Sequence, residues 1–274
     1  MNIITKVEKM AKETIDKNKL CNKKEKILVA LSGGKDSTTT AYLLKKFGYN
    51  IEGFYIDLGL GSYSQRCLNA IKELCKMLNI KLSVYSVQKE MGARMCYIRS
   101  SVQAKNKLKN CAVCGVIKKS IMNKEARRLK ADKIATGHNL DDEVQTFLIN
   151  LFKGSPELSA NTGEISKNIS DKKFIPRIKP LFYVAEEDVR NYAKLKKLPF
   201  VPESCPCGID SYRIQARKFL RNVSENEKLN IIKNFKEIQP LIKIKECDII
   251  NYCEKCGEPS RNWLCKKCQL LSSS

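Results

Sequence analysis

A chain of 274 residues, 43% of them apolar, can build one catalytic domain of about 150–200 residues with a substantial core and some additions. Lys and Arg outnumber Asp and Glu by 51 to 29, a formal charge of +22, which suits a polyanionic partner unless it reflects only a compositional bias that spreads Lys, Asn and Ile evenly. No export or membrane segment is visible, and residues 1–26 are highly charged, so the chain is expected to be cytoplasmic, where its 13 cysteines need a role other than structural disulfides.

Residues 3–18 read as an amphipathic helix with Ile4, Val7, Met10, Ala11 and Ile15 on one side, packing beside the catalytic domain. Cys21 follows alone. The apolar run Ile27–Leu31 predicts a strand, and Thr38–Phe47 a helix. Between them lies Ser32-Gly33-Gly34-Lys35-Asp36-Ser37. A strand, a glycine turn and a helix N-terminus aim backbone N–H groups at one point, which suits phosphate. The glycines permit positive φ and close approach. Lys35 adds a cation, and Ser32 and Ser37 add hydroxyls. Asp36 fits an anion site only with a bridging metal ion, which implies a Mg-nucleotide. The spacing is not that of a Walker loop.

Residues 51–57 predict a second strand, 58–62 a glycine-containing loop, 64–78 a helix and 81–87 a third strand. This alternation implies an α/β fold with a doubly wound parallel sheet. Ligands sit at the carboxyl ends of such strands, so Ala30 and Ile56 are placed to meet an adenine with backbone groups. Residues 88–110 read as a basic, irregular loop carrying Lys89, Arg94, Arg99, Lys105, Lys107 and Lys109, either touching RNA or simply solvated. Cys111-Ala-Val-Cys114-Gly-Val-Ile-Lys118 opens a helix to about Leu129, and positions 111, 114 and 118 share one face of it. Lys133–Thr136 is a fourth strand. It leads into Gly137-His138-Asn139-Leu140-Asp141-Asp142-Glu143 and a helix to about Phe152. Residues 153–173 read as a mobile polar insertion. Helices are expected at 186–196, 211–223 (basic, with Arg213, Arg217, Lys218 and Arg221) and 225–238.

Two cysteine groupings have metal-ligand spacing. Cys253-Glu-Lys-Cys256 and Cys265-Lys-Lys-Cys268, separated by eight residues, make a four-cysteine knuckle suited to zinc, with rubredoxin-like iron the alternative. It is too poor in apolar residues to fold without metal, and it would present Lys255, Arg261, Lys266 and Lys267 to RNA. The second grouping is Cys111 and Cys114 with the distant Cys205. An iron–sulfur cluster with one open iron, a second zinc site and a persulfide-carrying CxxC pair all remain open on composition alone. Asp142 is a candidate general base or metal ligand, or an N-terminal helix residue capped by Asn139. His138, the only histidine, reads as structural. Cys67, Cys75, Cys96 and Cys247 read as small apolar residues, and Cys207 as a bystander to Cys205.

The SGGKDS loop resembles that of the PP-loop ATP pyrophosphatases, which cleave ATP between the α- and β-phosphates. Together with the CxxC helix, GHNLDDE, the remote cysteine and the terminal knuckle, residues 25–268 resemble the tRNA 2-thiouridine synthetases of the TtuA/Ncs type, with the TtcA branch a close relative. The resemblance implies a [4Fe-4S] cluster on Cys111, Cys114 and Cys205, a catalytic pair Lys118 and Asp142, and ATP held by Ala30, Ser32, Gly33, Gly34, Lys35, Asp36, Ser37, Ile56, Lys118 and Gly137. It implies adenylation of a tRNA uridine at its C2 oxygen and then transfer of cluster-bound sulfide. Free sulfide or a ubiquitin-like thiocarboxylate carrier would be the donor, and the enzyme would be a homodimer. Relatives of this type begin with another zinc knuckle, where this chain has only Cys21. The rivals are 2-thiocytidine or lysidine formation on the same fold, and a non-catalytic zinc-knuckle RNA-binding protein. The expected organisation is a helical extension (1–25), the catalytic domain (26–200), a helical segment completing the cluster site (201–248) and the knuckle (249–270).

Overall fold

The computed structural model describes residues 2–105, 108–155, 158–160, 162–166, 171, 173–208, 213–242 and 251–272. Helix α1 (Ile3–Lys17) precedes β1 (Lys26–Leu31), α2 (Lys35–Lys46), β2 (Asn50–Asp57), α3 (Ser62–Leu78) and β3 (Leu82–Ser86). Then come α4 (Val87–Met91), α5 (Met95–Lys105), α6 (Asn110–Arg128), β4 (Lys133–Ala135), α7 (Leu140–Phe152) and β5 (Arg177–Ile178). Helices α8 (Glu186–Leu195), α9 (Arg213–Leu220) and α10 (Glu225–Ile238) follow. The tail carries β6 (Asn251–Tyr252), β7 (Pro259–Ser260) and α11 (Lys266–Ser272).

The main sheet runs β3-β2-β1-β4-β5 with every pair parallel. Chain order reverses between β1 and β4, and that switch point opens a crevice at the strands' carboxyl ends. The alternation along β1 explains the layering. Ile27, Val29 and Leu31 enter one core with Leu44 and Ile71, while Leu28 joins Phe54, Ile98, Val113 and Ile117 on the other face. On α1, Val7 and Ala11 share a cluster with Leu43, Val189 and Tyr192, so this helix packs against α2 and α8. Each fully buried side chain of the Val, Leu or Ile type contributes about 1.5–3 kcal/mol.

Three expectations change. Helix α2 starts at Lys35 with Gly34 as N-cap, not at Thr38, so Lys35, Asp36 and Ser37 form its first turn. Residues 88–110 are not an irregular loop: α4 and α5 occupy much of the stretch, and Met95, Ile98, Arg99 and Val102 are buried. The apolar spacing at 95, 98 and 102 is that of a helix face, obscured in the sequence by the basic residues between; Lys107 lies outside the described residues. Nor is the insertion loose where described. Ile165 bridges Ile178, Glu164 meets Tyr183 and Lys236, and Gln239 Nε2 donates to the carbonyls of Ala160 and Thr162 at 2.8 and 2.7 Å. No helix among the described residues is long and apolar enough to cross a membrane.

The tail docks on the second half of α6. Arg127 pairs with Glu258, Asn123 Nδ2 donates to the Lys173 carbonyl at 2.7 Å, and Lys173 Nζ donates to the Gly257 carbonyl at 2.7 Å. Leu270 completes the apolar cluster around Ile117 and Ile121. Arg127→Ala and Glu258→Ala are each expected to lower the melting temperature. The double variant should lose little more than the worse single one, a coupling of about 1–3 kcal/mol measured by thermal melts of all four proteins.

Candidate functional site

The turn after β1 is drawn tight by its own hydroxyls. Ser37 Oγ donates to the Gly34 carbonyl and accepts from the Ser32 amide, both at 3.1 Å, and the Ser32 and Ser37 hydroxyls stand 3.1 Å apart. Gly33 has φ +81°, and a Cβ there would lie 2.7 Å from Cys67 Cβ. Cys67, expected to be an ordinary core residue, is therefore the floor on which the loop rests. Its thiol is pushed up by burial. The loop from β4 arrives beside the first. A Cβ on Gly137 would meet the backbone of Asp36 and Ser37 at 2.6 Å, and Asn139 Nδ2 donates to Asp36 Oδ1 at 3.0 Å. Asn139 also caps α7, accepting from the Asp142 amide at 3.1 Å.

A cavity of about 350 Å³ opens between these loops. Ser32, Asp36 and Ser37 line it with Ala30, Ile56 and Gly137, as the strand-end placement predicts. Lys118, Asp142, His138 and Cys205 complete the polar wall. Lys35 is not part of that wall: its ammonium is held by Glu186 at 2.8 Å and Asp36 at 3.0 Å.

The acidic run after Asn139 is divided by its partners. Asp141 takes Lys228 at 2.8 Å and the Glu186 amide at 2.7 Å. Buried Glu143 takes Lys179 at 2.8 Å. Asp142 alone is left at the cavity, with Arg213 Nη1 at 3.4 Å. Burial pushes its carboxyl up to about 6; Asp36 and Glu186 push the same way, while Arg213 and Arg217 oppose them. It serves both as the helix residue that Asn139 caps and as the carboxylate facing the cavity.

His138, read from the sequence as structural, also lines the cavity. Its Nδ1 lies 2.9 Å from Thr136 Oγ1. Its ring is open to the cavity but deeply enclosed by protein, and burial together with Lys179, Arg213, Lys119 and Arg177 lowers it to about 3. The imidazole is neutral at any physiological pH. A glycine-histidine turn closing a buried strand at the switch point was the signal available for it.

Cys205 reaches the cavity because its segment is tied to the phosphate loop: the Val201 amide donates to the Gly33 carbonyl at 2.8 Å. Cys111 and Cys114 sit at the start of α6, two turns and one turn before Lys118 respectively. Cys111 and Cys205 are exposed, Cys114 half-buried. Burial raises Cys114; Lys118 opposes this, while Cys205 and Cys111 add like charge. Burial raises Cys205 too, against the amide of Cys207 and the charge of Lys118. The two remote segments therefore bring three thiols within electrostatic reach of one another and of Lys118. In the tail, the sulfurs of Cys253, Cys256, Cys265 and Cys268 all lie within 4.8 Å of one another, the closure a tetrahedral ion requires. Among the described residues only this set closes so tightly. Cys111, Cys114 and Cys205 are not part of such a closely spaced set among the described residues, and only Cys205 of the three lines the cavity. Although burial opposes it, amide hydrogen bonds hold Cys253 down near 6, as a thiolate ligand needs. Lys255, Arg261 and Lys266 are exposed around the knuckle and Lys267 is half-buried. Cys75 is buried, and Cys21 packs on the core, its thiol pushed up by burial to about 11; Cys96 is half-buried, and Cys247 lies outside the described residues.

Residues 2–227 match a family described as PP-loop domain. The chain is 36% identical over 269 residues to the tRNA-5-methyluridine(54) 2-sulfurtransferase of Pyrococcus horikoshii, covering 96% of this chain and 83% of that protein. It is 33% identical to the tRNA 2-thiolation protein NcsA of Haloferax volcanii, covering 90% and 81%. Among solved structures, the U34-tRNA thiolase NcsA of Methanococcus maripaludis with its [4Fe-4S] cluster superposes with a TM-score of 0.80 at 26% identity, covering 98% of this chain and 87% of that one. An NMN synthetase from Francisella tularensis, at 16% identity and a TM-score of 0.53, shares the fold.

Gly137→Ala is expected to weaken ATP binding at least tenfold by driving the two loops apart. Gly115→Ala, where a Cβ meets nothing within 4 Å, should leave it intact; calorimetric titration compares them. Asp142 has a folded pKa above its unfolded value, so its ionised form costs stability above pH about 6, and the cost vanishes below about 4. Asp142→Asn is therefore expected to stabilise the metal-free chain by about 1–3 kcal/mol at pH 8. The gain should shrink as pH falls through 6, as denaturant melts at both pH values will report.

Proposed function

Because the chain belongs to the PP-loop family of tRNA 2-sulfurtransferases, we propose that it thiolates a tRNA uridine at C2 while converting ATP to AMP and pyrophosphate. The observation that carries this reading is the convergence of Cys205, Lys118 and Asp142 on one cavity with the Ser32–Ser37 loop. Amide or lysidine formation on this fold needs the loop but not the thiols.

ATP lies with its adenine against the backbone at Ala30 and Ile56 and its phosphates over Ser32, Gly33, Gly34 and Ser37. Asp36, oriented by Asn139, would hold Mg²⁺, which would offset the negative charge of the phosphates. Lys35 braces Asp36 and, on exchange of its carboxylate partners, supplies positive charge to the departing pyrophosphate. The uridine O2 attacks the α-phosphate and pyrophosphate leaves; C2 then accepts sulfur and AMP leaves. Lys118 neutralises charge on the α-phosphate, and Asp142 acts as general base or second oxygen ligand. Cys111, Cys114 and Cys205 would hold a [4Fe-4S] cluster. When bound, that group supplies a coordination position for sulfide without net redox change. The donor is free sulfide or a thiocarboxylate carrier, and the active species is a homodimer in the cytoplasm. Cys253, Cys256, Cys265 and Cys268 hold structural zinc and present the basic knuckle to tRNA.

Cys111→Ser, Cys114→Ser and Cys205→Ser are each expected to remove the brown thiolate–iron absorbance of anaerobically purified protein. They should abolish 2-thio nucleosides in a complemented deletion strain, read by mass spectrometry, while ATP affinity stays within about twofold. A normal set of 2-thio nucleosides in the deletion strain would overturn the proposal.

A further inference from the structure

The cations beside the catalytic cavity are distributed unevenly. Four of them surround the His138 ring: Lys119 from α6, Arg177 from β5, Lys179 just beyond β5, and Arg213 from α9. Two have carboxylate partners: Lys179 holds Glu143 and Arg213 leans on Asp142. Among the described residues, Lys119 and Arg177 are in no ion pair. Arg177 Nη2 donates to the Lys119 carbonyl at 3.3 Å, which fixes the guanidinium against α6, yet its Nε is buried without a hydrogen-bond partner. Lys119 keeps access to solvent while protein closes round it, and burial with its three cationic neighbours lowers its pKa. Like charges gathered without counter-charge are unfavourable in the free protein, so a ligand must supply the negative charge that makes them useful.

We infer that Lys119 and Arg177, with Lys179 and Arg213 at their sides, form a phosphate-binding basin that grips the RNA backbone next to the nucleotide inserted in the cavity. The assignment rests on the tRNA reading above and extends it to a particular face of the cavity. The basin stands on the β4–β5 side, whereas the phosphate loop for ATP is built on β1, at the other side of the switch point. A base that is modified inside a cavity must leave its stack, and its flanking phosphates are then drawn to the cavity rim. Phosphate contacts fix register without reading sequence. His138, kept uncharged by burial and by the same cations, lines the cavity without competing for the anion.

The test uses the full-length holoprotein and unmodified tRNA transcript, with binding measured over a range of salt concentrations. Lys119→Gln and Arg177→Gln are each expected to weaken tRNA binding about three- to tenfold near physiological salt. Each should flatten the slope of log affinity against log salt by about 0.7–0.9. ATP affinity should stay within about twofold, and the ligand-free Lys119→Gln protein should melt no lower than wild type, since it loses an unpaired charge. An unchanged tRNA affinity and salt slope in well-folded variants would overturn the basin; so would a loss confined to ATP affinity, which would reassign these cations to the nucleotide. If the wild-type protein itself failed to bind tRNA, the thiolation proposal would fall first and this one with it.

Discussion

One backbone hydrogen bond joins the two halves of the site. The carbonyl of Gly33, a residue with positive φ, accepts the Val201 amide. Gly33 thus does two things: it bends the phosphate loop over Cys67, and it holds the segment that carries Cys205 beside that loop. A side chain at this position would strain the turn and collide with α3. The second contact of the same kind is Gly137, whose missing Cβ lets the turn after β4 rest on the first turn of α2. Both glycines act through absent volume, and between them they set the width of the crevice at the sheet's switch point.

Charge is allotted around that crevice by elimination. Asp141 and Glu143 are consumed by lysines from α10 and from the segment after β5, and Glu186 takes Lys35. Asp142 is left with Arg213 at 3.4 Å; burial, helped by Asp36 and Glu186 and opposed by the arginine, keeps its carboxyl easier to protonate than an exposed one. A group in such a place is costly to the fold and useful to chemistry. His138 is shifted the opposite way, by burial first and then by the cations around it.

Helix α6 links the remaining parts. Its first turns carry Cys111, Cys114 and Lys118, while its inward face buries Val113, Ile117 and Ile121 in the core against the sheet. Its last turns receive the tail through Arg127, Asn123 and Leu270. The tail with its four-cysteine knuckle thus packs on one end of the helix whose other end carries Cys111 and Cys114.

Much of this was legible in the sequence because it is written in local pattern. Alternating strand and helix periods give a doubly wound sheet, SGGKDS between a strand and a helix gives a phosphate loop, and two CxxC pairs eight residues apart give a tetrahedral thiol site. Local pattern failed where function or composition disguised it. Basic residues masked the helical spacing of Met95, Ile98 and Val102, and a polar stretch hid the docking of Glu164 and Ile165. The role of Cys67 as a floor, the freedom of Asp142 among three acids, the place of His138 in the cavity and the lack of a carboxylate for Lys119 and Arg177 among the described residues were decided only by tertiary structure. Each depends on which remote groups occupy the neighbouring space, and a one-dimensional spacing carries no record of that.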